Sequence, residues 1–300
     1  PEDAAQIART ASNAGEMALV MKKQRYIRLG GDIIDLSKGL IMGVFNVTPD
    51  SFYSESRVSA KDVFLEKVSC MCDDGMDILD IGGFSSRPGA KLPDMEEEWK
   101  RLHPILKAIK SNYPDLPLSV DTFRSEIARR VVGEFGVCLI NDISGGAMDP
   151  LMPETIADLD VSVVLMHMKG NPATMQKQPT YNDVTMEIIH YFSEQIDIFR
   201  QKGVKDIVID PGFGFGKTLE HNFEILKKLE MFSIFNLPLL IGISRKSMIQ
   251  KVLNTGPDEA MNGTTALHSI ARFKGADIFR VHDVKEISEC LNLINKLIGY

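Results

Sequence analysis

The chain has 300 residues, of which 44% are hydrophobic and 25% are charged. This is the composition of an ordinary globular protein, and it excludes a disordered or low-complexity chain. Thirty-four basic against 41 acidic residues give a net charge of −7, which argues against nucleic acid or an anionic membrane surface as the main partner.

Short apolar runs recur along the chain and predict strands that are buried on both faces. Helical patterns separate them, for example over Phe64–Cys72 and Ile188–Phe199, and each of these ends near a glycine. The predicted strands are, in chain order, Leu40–Phe45, Ile78–Ile81, Leu116–Val120, Val137–Ile140, Val161–Met166, Ile207–Ile209, Leu237–Ile243 and Ile278–Val281. Eight strands alternating with helices over ~260 residues predict an α/β fold, a TIM (β/α)8 barrel, with a doubly wound open sheet as the alternative.

The start of the predicted barrel divides the chain into two segments. We expect residues 1–38 to be an N-terminal extension and lead-in segment and residues 39–300 to be the barrel domain. The first residues are acidic, unlike a secretory signal, and no apolar run approaches the ~18 residues of a membrane span. The four cysteines form no C-x-x-C pair, so we expect reduced thiols in a cytoplasmic protein without a membrane partner.

Polar side chains stand at or near the end of every predicted strand. In a barrel these ends meet at one face, where barrel active sites are built. The residues are, in chain order, Asn46, Asp80, Asp121, Asn141, His167, Asp210, Ser244 with Arg245 and Lys246, and His282. A cap or a turn explains any one of them, but it does not explain the whole set. We therefore predict the active site at this face.

The stretch from Asp210 to Thr218 has three glycines and a lysine and looks at first like a phosphate loop. It fails the Walker pattern, because Pro211 stands where that pattern needs glycine, and its glycine spacing fails the dinucleotide pattern. We interpret it as a strand-end carboxylate, Asp210, followed by a loop that carries Phe213 and Phe215.

Three other residues are suited to bind an anion and a metal cation beside it. Arg280 and His282 alternate on a strand, so both side chains point to the same face and can grip an anion. Asn46 offers a hard amide oxygen, which could be one ligand of Mg²⁺ if substrate phosphates and water complete the shell.

Together these residues resemble the dihydropteroate synthases of folate biosynthesis, from about Leu40 to Tyr300. The motifs are MGVFNVTPDSF at 42–52, DIGG at 80–83, SSRPG at 85–89, SVDT at 119–122, NDIS at 141–144, MHM at 166–168, DPGFGFGK at 210–217, SRKS at 244–247 and RVH at 280–282. The resemblance implies a protein with a pterin-binding barrel that is a target of sulfonamides and forms a homodimer. It also implies a transferase that joins 6-hydroxymethyl-7,8-dihydropterin diphosphate to 4-aminobenzoate and releases diphosphate, with Mg²⁺ as cofactor.

The resemblance further implies a role for each matching residue. It implies that the pterin ring is held by Asp121, Asn141, Asp210 and Lys246, with Met166 against its face. The diphosphate would be bound by Asn46, Ser86, Arg280 and His282, and Asn46 would also bind Mg²⁺. The aminobenzoate pocket would be shaped by Phe52, Arg87, Pro88, Phe215 and Ser244. The residues implied in catalysis are Lys246, Arg280 and His282.

Three positions depart from the family's pattern, and all concern the closing loops or the aminobenzoate side. Ser86 stands where threonine is common, Phe84 where many members have an acid, and Ser54 where many have aspartate. Two alternative functions stay open, a corrinoid-linked methyltetrahydrofolate methyltransferase and a non-catalytic pterin-binding protein. The intact Asn46 and Arg280 argue against the first, which binds no diphosphate, and the presence of Lys246 and of both loops argues against the second.

Overall fold

An antiparallel hairpin begins the part of the chain that the structure describes. The structure is a computed structural model that describes residues 25–47, 57–84, 92–170 and 179–300, with residues 57–60 described by their backbone alone. The hairpin consists of β1 (Tyr26–Leu29) and β2 (Asp32–Asp35). Gly30 and Gly31 connect the two strands, both with positive φ (61° and 106°), as a tight two-residue hairpin turn requires.

Eight parallel strands follow, and from the second of them onward each lies beside the strand that precedes it in the chain. They are β3 (Leu40–Asn46), β4 (Ile78–Gly82), β5 (Leu118–Asp121), β6 (Leu139–Asp142), β7 (Ser162–Met166), β8 (Ile207–Asp210), β9 (Leu240–Ile241) and β10 (Ile278–Val281). Pairing of β10 with β3 joins the two ends of the series. Between β8 and β9 a parallel bridge from Ile209 to Leu239 and the hydrogen bond from Ile209 N–H to Pro238 O (3.0 Å) complete the ring. The predicted TIM barrel is therefore confirmed, and the open sheet is wrong.

Helices lie outside the barrel and follow the strands. They are α1 (Arg57–Asp73), α2 (Met95–Asn112), α3 (Ser125–Phe135), α4 (Met152–Leu159), α5 (Val184–Gln201), α6 (Leu219–Lys227), α7 (Ser247–Leu253), α8 (Met261–Phe273) and α9 (Val284–Ile298), with 3₁₀ turns at Leu229–Phe235 and Pro257–Glu259. The two predicted helical stretches lie within α1 and α5. Asp94 and Asp183 cap α2 and α5, since each carboxylate accepts from a backbone N–H of the first turn. None of the described helices is long and apolar enough to cross a membrane.

The hairpin closes the end of the barrel at which the strands begin. Ile27 and Leu29 of β1 are buried against the inward-facing apolar side chains of the strands. Those side chains include Met42, Ile78, Leu139, Val164, Val208, Leu240 and Ile278. Arg28 fixes the hairpin from outside, since its Nε donates to Asp206 Oδ2 (3.0 Å) in front of β8. Because this end is filled, the opposite face, at the C-terminal ends of the strands, is left for a site.

Candidate active site

Two residues beyond the apolar layer that packs against the hairpin, most of the side chains on the inner face of the barrel are polar. Alternate residues of a strand point to the same face, so the residue two positions after an inward apolar side chain also points inward. Asp80 follows Ile78 in this way, and Arg280 follows Ile278. The inner layer formed at this level contains Asp80, Asp121, Asn141, Met166, Asp210 and Arg280. The structure therefore brings all four predicted strand-borne pterin residues to one level of the barrel.

Arg280 joins two carboxylates on neighbouring strands. Its Nε donates to Asp80 Oδ2 (2.7 Å) and its Nη2 to Asp121 Oδ2 (3.3 Å). Asp80 also accepts from Ser119 Oγ (2.6 Å) and from Asn141 Nδ2 (3.1 Å). Burial lowers the pKa of Arg280, but the carboxylates of Asp80 and Asp121 outweigh it and raise that pKa above its usual range. A permanently charged guanidinium is thus held rigidly at the barrel mouth.

Asp121 has an acceptor atom that no other described residue uses. Its Oδ1 is buried and has no hydrogen-bond partner, which is uncommon for a carboxyl oxygen in a protein interior. Burial raises the pKa of Asp121 to about 8, with Arg280 opposing the rise and the nearby Asp80 adding to it. This atom is available to a polar group of a ligand.

Asp210 and Lys246 form a second charged group. Burial raises the pKa of Asp210, while the Lys246 ammonium and the Gly212 N–H, which donates to Asp210 Oδ1 (2.8 Å), lower it. Burial lowers the pKa of Lys246 to about 8 against the opposing effect of Asp210. The Lys246 ammonium donates to Phe213 O and lies 4.7 Å from the centroid of the Phe215 ring. Asp210 thus offers acceptors and Lys246 a donor within the same part of the site.

An apolar group borders these polar residues. Phe84 and Phe123 contact each other edge to face, with ring centroids 5.6 Å apart. The buried members of this group are Phe84, Phe123, Ile143 and Met166, and the partly buried ones are Leu92, Met168 and Phe215. Since Met166 belongs to both the inner layer and this group, a flat ring can rest on it while its edge reaches the polar side chains.

His282 lies at the outer edge of the site, beside the end of β9. The Ser244 hydroxyl lies 3.2 Å from His282 Nδ1 and accepts from the His282 backbone N–H (3.3 Å). Next to this pair, Arg245 donates to both carboxylate oxygens of Asp283, at 2.9 and 2.5 Å. Arg245 has a φ of +54°, a left-handed conformation that is uncommon for arginine. The ion pair therefore ties together the segments that follow β9 and β10.

Asn46 ends β3 on the same face, where its side chain is exposed. Its register partner on β4 is Gly82, and a Cβ atom there would lie only 2.9 Å from Asn46 Oδ1. Within the described residues no group of three or more histidine, cysteine, aspartate or glutamate side chains could hold a metal. Asn46 offers one amide oxygen at this face, and its role as an Mg²⁺ ligand stays a prediction.

The sequence relatives of the chain point to one family. A sequence model of the family described as "Pterin binding enzyme" matches residues 42–282. The dihydropteroate synthase of Escherichia coli strain K12 is 43% identical over 266 residues, which cover 88% of this chain and 93% of that protein. This chain belongs to the dihydropteroate synthase family. The synthase of a Synechocystis strain is 39% identical over 260 residues, 86% of this chain and 89% of that protein.

Solved structures of the dihydropteroate synthase family have the same fold. The Yersinia pestis synthase, determined with a sulfonamide drug complex, has a TM-score of 0.85 and 37% identity and covers 92% of this chain and 100% of its own. The Xanthomonas albilineans synthase with 4-aminobenzoic acid has a TM-score of 0.85 and 34% identity, covering 93% and 100%. As a member of this family the chain is an enzyme, a transferase. Both alternative functions are therefore set aside.

Four residues that the family resemblance assigns to the site lie outside the described residues. They are Phe52, Ser86, Arg87 and Pro88, and the departure at Ser54 lies there too. Their roles stay predictions. Of the departures, Phe84 lies within the described residues, buried in the apolar group beside the polar layer.

Asp80 is one of the strand-end residues that the sequence predicts at this face, but no specific role is predicted for it, although its carboxylate holds both Arg280 and Asn141. Its place two residues after Ile78 gives the signal that it faces inward. Its pairing with Arg280, 200 positions away in the chain, is visible only once the barrel is closed.

Proposed function

We propose that this enzyme binds 6-hydroxymethyl-7,8-dihydropterin diphosphate and 4-aminobenzoate at the C-terminal face of the barrel and joins them, with release of diphosphate. The observation that carries the proposal is the polar layer over an apolar floor, in which Asp121 keeps a buried acceptor without a partner. A structure of the Xanthomonas albilineans relative contains 4-aminobenzoic acid, and one of the Clostridium difficile relative was determined in the presence of pteroic acid.

The pterin ring lies against Met166 and presents its polar edges to Asp121, Asn141 and Asp210. One edge of a pterin has an N–H beside an exocyclic NH₂, and the two oxygens of the Asp210 carboxylate match that pair of donors. Lys246 supplies a donor next to the Asp210 acceptor, which suits a neighbouring acceptor of the ring. Burial raises the pKa values of Asp121 and Asp210, and a ligand group that donates a hydrogen bond to either carboxylate favours its charged form.

The diphosphate binds at the edge of the site, between Arg280 and His282. Arg280 keeps its charge because Asp80 and Asp121 raise its pKa, and His282 is exposed beside it. The Arg280 guanidinium and the His282 imidazole, as hydrogen-bond donors, stabilise the negative charge that grows on the diphosphate as the bond from carbon to oxygen breaks.

Mg²⁺ belongs to the same proposal, with Asn46 as its protein ligand. A hard amide oxygen at this face suits Mg²⁺, which prefers oxygen ligands and keeps several waters beside phosphate oxygens. The ion, when bound, would neutralise further charge on the leaving diphosphate.

The reaction itself needs little from a base. The carbon–oxygen bond to diphosphate breaks, the carbon–nitrogen bond to the amine forms, and the amine's proton passes to the departing diphosphate or to water. An aromatic amine can attack once the dihydropterin methyl group has become cation-like, so positioning and charge stabilisation are sufficient. Phe215 and Lys246 place the aminobenzoate next to the pterin, together with Phe52, Arg87 and Pro88. Ser244 contributes through its bond with His282.

We further propose a homodimer. Within the described residues, four of the fifteen exposed large hydrophobic side chains lie on the neighbouring helices α8 and α9, which pack against each other. Ile270 and Phe273 stand on α8, and Leu293 and Leu297 on α9, three and four residues apart, so each pair shares one helix face. Leu293 and Leu297 are 75% and 76% exposed, and a second copy of the chain packed on this face would bury them.

A cytoplasmic location is proposed from the cysteines. All four, Cys70, Cys72, Cys138 and Cys290, are free thiols. Free thiols are typical of proteins from a reducing compartment.

The test is a direct assay with the two substrates and Mg²⁺, in which dihydropteroate is detected by chromatography and diphosphate by a coupled enzyme. We expect both products in equal amounts, and we expect omission of Mg²⁺ to slow their formation. Sulfonamides, as mimics of aminobenzoate, should compete with that substrate. Formation of neither product by the folded protein would contradict the proposed function.

A further inference from the structure

A buried lysine with no part in the proposed reaction lies behind the pterin side of the site. Lys217 is 4% exposed and ends the glycine-rich loop that follows β8. Its Nζ is within hydrogen-bond distance of four acceptors, namely His167 Nδ1 (3.0 Å), His167 O (3.2 Å), Gly212 O (2.8 Å) and Phe215 O (2.9 Å). A protonated amine has three donors, so these acceptors can satisfy all of them.

The partner imidazole is suited to accept this hydrogen bond. Burial, with the help of Lys217 and Lys169, lowers the pKa of His167 to about 2, so its ring is neutral and one nitrogen carries a lone pair. The ring also contacts Tyr191 edge to face, with centroids 4.9 Å apart, which fixes its orientation. Burial lowers the pKa of Lys217, whereas the Asp210 carboxylate supports its charge.

The loop from Gly212 to Gly216 wraps around the lysine amine. Its three glycines have positive φ, and the conformation brings the loop directly onto the segment after β7. A Cβ on Gly212 would lie 2.0 Å from His167 O, and one on Gly216 would lie 2.6 Å from Lys169 O. Larger residues cannot follow this path, so the loop has one tightly defined shape.

The same loop supplies the contacts that hold the site's charged pair. The Gly212 N–H donates to Asp210, Phe213 O accepts from Lys246, and the Phe215 ring lies beside the Lys246 ammonium. Two of these residues, Gly212 and Phe215, are those whose carbonyls meet at Lys217.

We propose that Lys217 is a positioning residue that gathers the carbonyls of this loop and of His167 and thereby sets the places of Lys246 and Phe215. It touches no substrate. The proposal rests on the proposed function for its effect on catalysis, but the position of Lys246 can be measured without any substrate.

The test compares Lys217→Met, which keeps the length of the side chain and removes its donors, with the wild type. The matched control is Lys274→Met, because Lys274 Nζ also holds two acceptors, Lys227 O (2.8 Å) and Glu230 Oε2 (2.7 Å), away from the barrel mouth. Trace acetylation followed by peptide mass spectrometry reports how readily Lys246 reacts. In Lys217→Met we expect Lys246 to react at least about fivefold faster, as release of one hydrogen bond allows, and in the control at the wild-type rate.

Kinetics then separate positioning from a merely structural role. Loss of a structural contact lowers the melting temperature and the active fraction, hence kcat, but leaves KM unchanged. We expect Lys217→Met to raise the KM for dihydropterin diphosphate by about tenfold or more. Lys217→Arg keeps the charge but spreads its donors over a flat fork, so its values should fall between the wild type and Lys217→Met. If Lys217→Met does not fold, Lys217→Arg decides by the same criteria.

An unchanged labelling rate of Lys246 in folded Lys217→Met, or in Lys217→Arg where Lys217→Met does not fold, would overturn the proposal, whatever the activity. If the wild type forms no dihydropteroate, the proposed function fails, while the labelling result still decides the role of Lys217.

Discussion

The Asp210 carboxylate accepts from the Gly212 backbone N–H, and the charge of the Lys246 ammonium opposes the rise in its pKa that burial causes. In Asp210→Asn the amide keeps the shape but turns one acceptor into a donor, which faces an N–H or NH₂ of the pterin. We expect pterin affinity to fall by about 1.5–3 kcal/mol, roughly 10- to 150-fold, since a polar pocket rejects a mismatched partner strongly. Because burial raises the pKa of Asp210, the charge is unfavourable in the fold, so the melting temperature should hold or rise.

Calorimetry with a pterin and thermal unfolding without it measure the two effects. Asp206→Asn is the control, because Asp206 stands just before β8, at the other end of the barrel, and pairs with Arg28. A clearly lowered melting temperature with pterin binding nearly unchanged would make Asp210 a structural residue instead.

Asp121 should make the stability of the free enzyme depend on pH. Its pKa rises to about 8 in the fold, so between the ordinary pKa of ~3.9 and about 8 the folded chain keeps a proton that the unfolded chain has lost. Unfolding releases this proton, and stability therefore falls as pH rises through that range. Other buried acids contribute as well, including Asp142, so the informative quantity is the difference between wild type and Asp121→Asn. Melting temperatures measured across pH should converge at acid pH and diverge above it, in favour of the variant. Parallel curves would show that Asp121 titrates normally.

His282→Ala tests the anion site. We expect this substitution to weaken binding of the diphosphate substrate by about 1.5 kcal/mol, or roughly tenfold in affinity. This value is at the lower end of the range for a charge-assisted hydrogen bond, because the imidazole is exposed. The matched ligand is the same pterin with a hydroxyl in place of diphosphate, and its affinity should not change. An equal loss for both ligands would mean that His282 acts through the fold, for instance through its contacts with Ser244.

The sequence predicts which residues belong to the site better than it predicts which residues they contact. Strand ends give Asp121, Asn141 and Asp210 because each follows a buried run at fixed spacing. The bond between Arg280 and Asp80 cannot be predicted in this way, because it joins the last strand of the barrel to the second. The bond from Ser244 to His282 likewise depends on how two successive loops meet.

At the scale of elements, all eight predicted strands are present, and apart from β9 their ends differ from the predicted ends by at most two residues. The apolar run Leu237–Ile243 predicts one long strand, but β9 contains only Leu240 and Ile241. Pro238 has no N–H to donate, and the link to β8 beside it is a single bridge, at Leu239. The hairpin of β1 and β2 is an element for which the sequence gives no strand prediction, since its strands are only four residues long.

The hairpin yields a prediction about stability. Ile27 is buried beneath the barrel, whereas Ile33, on the other strand of the hairpin, is 74% exposed. Ile27→Ala should lower the free energy of unfolding by about 2–5 kcal/mol, and Ile33→Ala by no more than about 0.5 kcal/mol. Denaturant unfolding gives both values, and KM for either substrate should stay unchanged because the hairpin lies at the opposite end from the site. Equal effects of the two substitutions would mean that the hairpin does not plug the barrel.

At the scale of the whole molecule, the barrel is filled below by apolar side chains and the hairpin, and it is open above at the charged layer. The surface outside it carries the apolar faces of α8 and α9, which a single copy leaves in water. The double variant Leu293→Lys, Leu297→Lys adds two positive charges per copy to this face. A dimer that forms through this face would therefore bury four unpaired ammonium groups, two from each copy. Burial of even one unpaired charge costs several kcal/mol, which is comparable with the whole gain from a modest interface.

We therefore expect the wild type to sediment as a dimer and the double variant as a monomer. Ile198→Lys is the control, because Ile198 is a partly exposed apolar residue on α5, away from the two helices, and this variant should stay dimeric. Analytical ultracentrifugation over a range of concentrations distinguishes the species, and thermal unfolding of each variant shows that the fold survives. A double variant that remains dimeric while folded would place the interface on another surface, and a monomeric wild type would remove the homodimer from the proposal. Since the catalytic layer lies inside one barrel, the monomeric variant should still bind pterin.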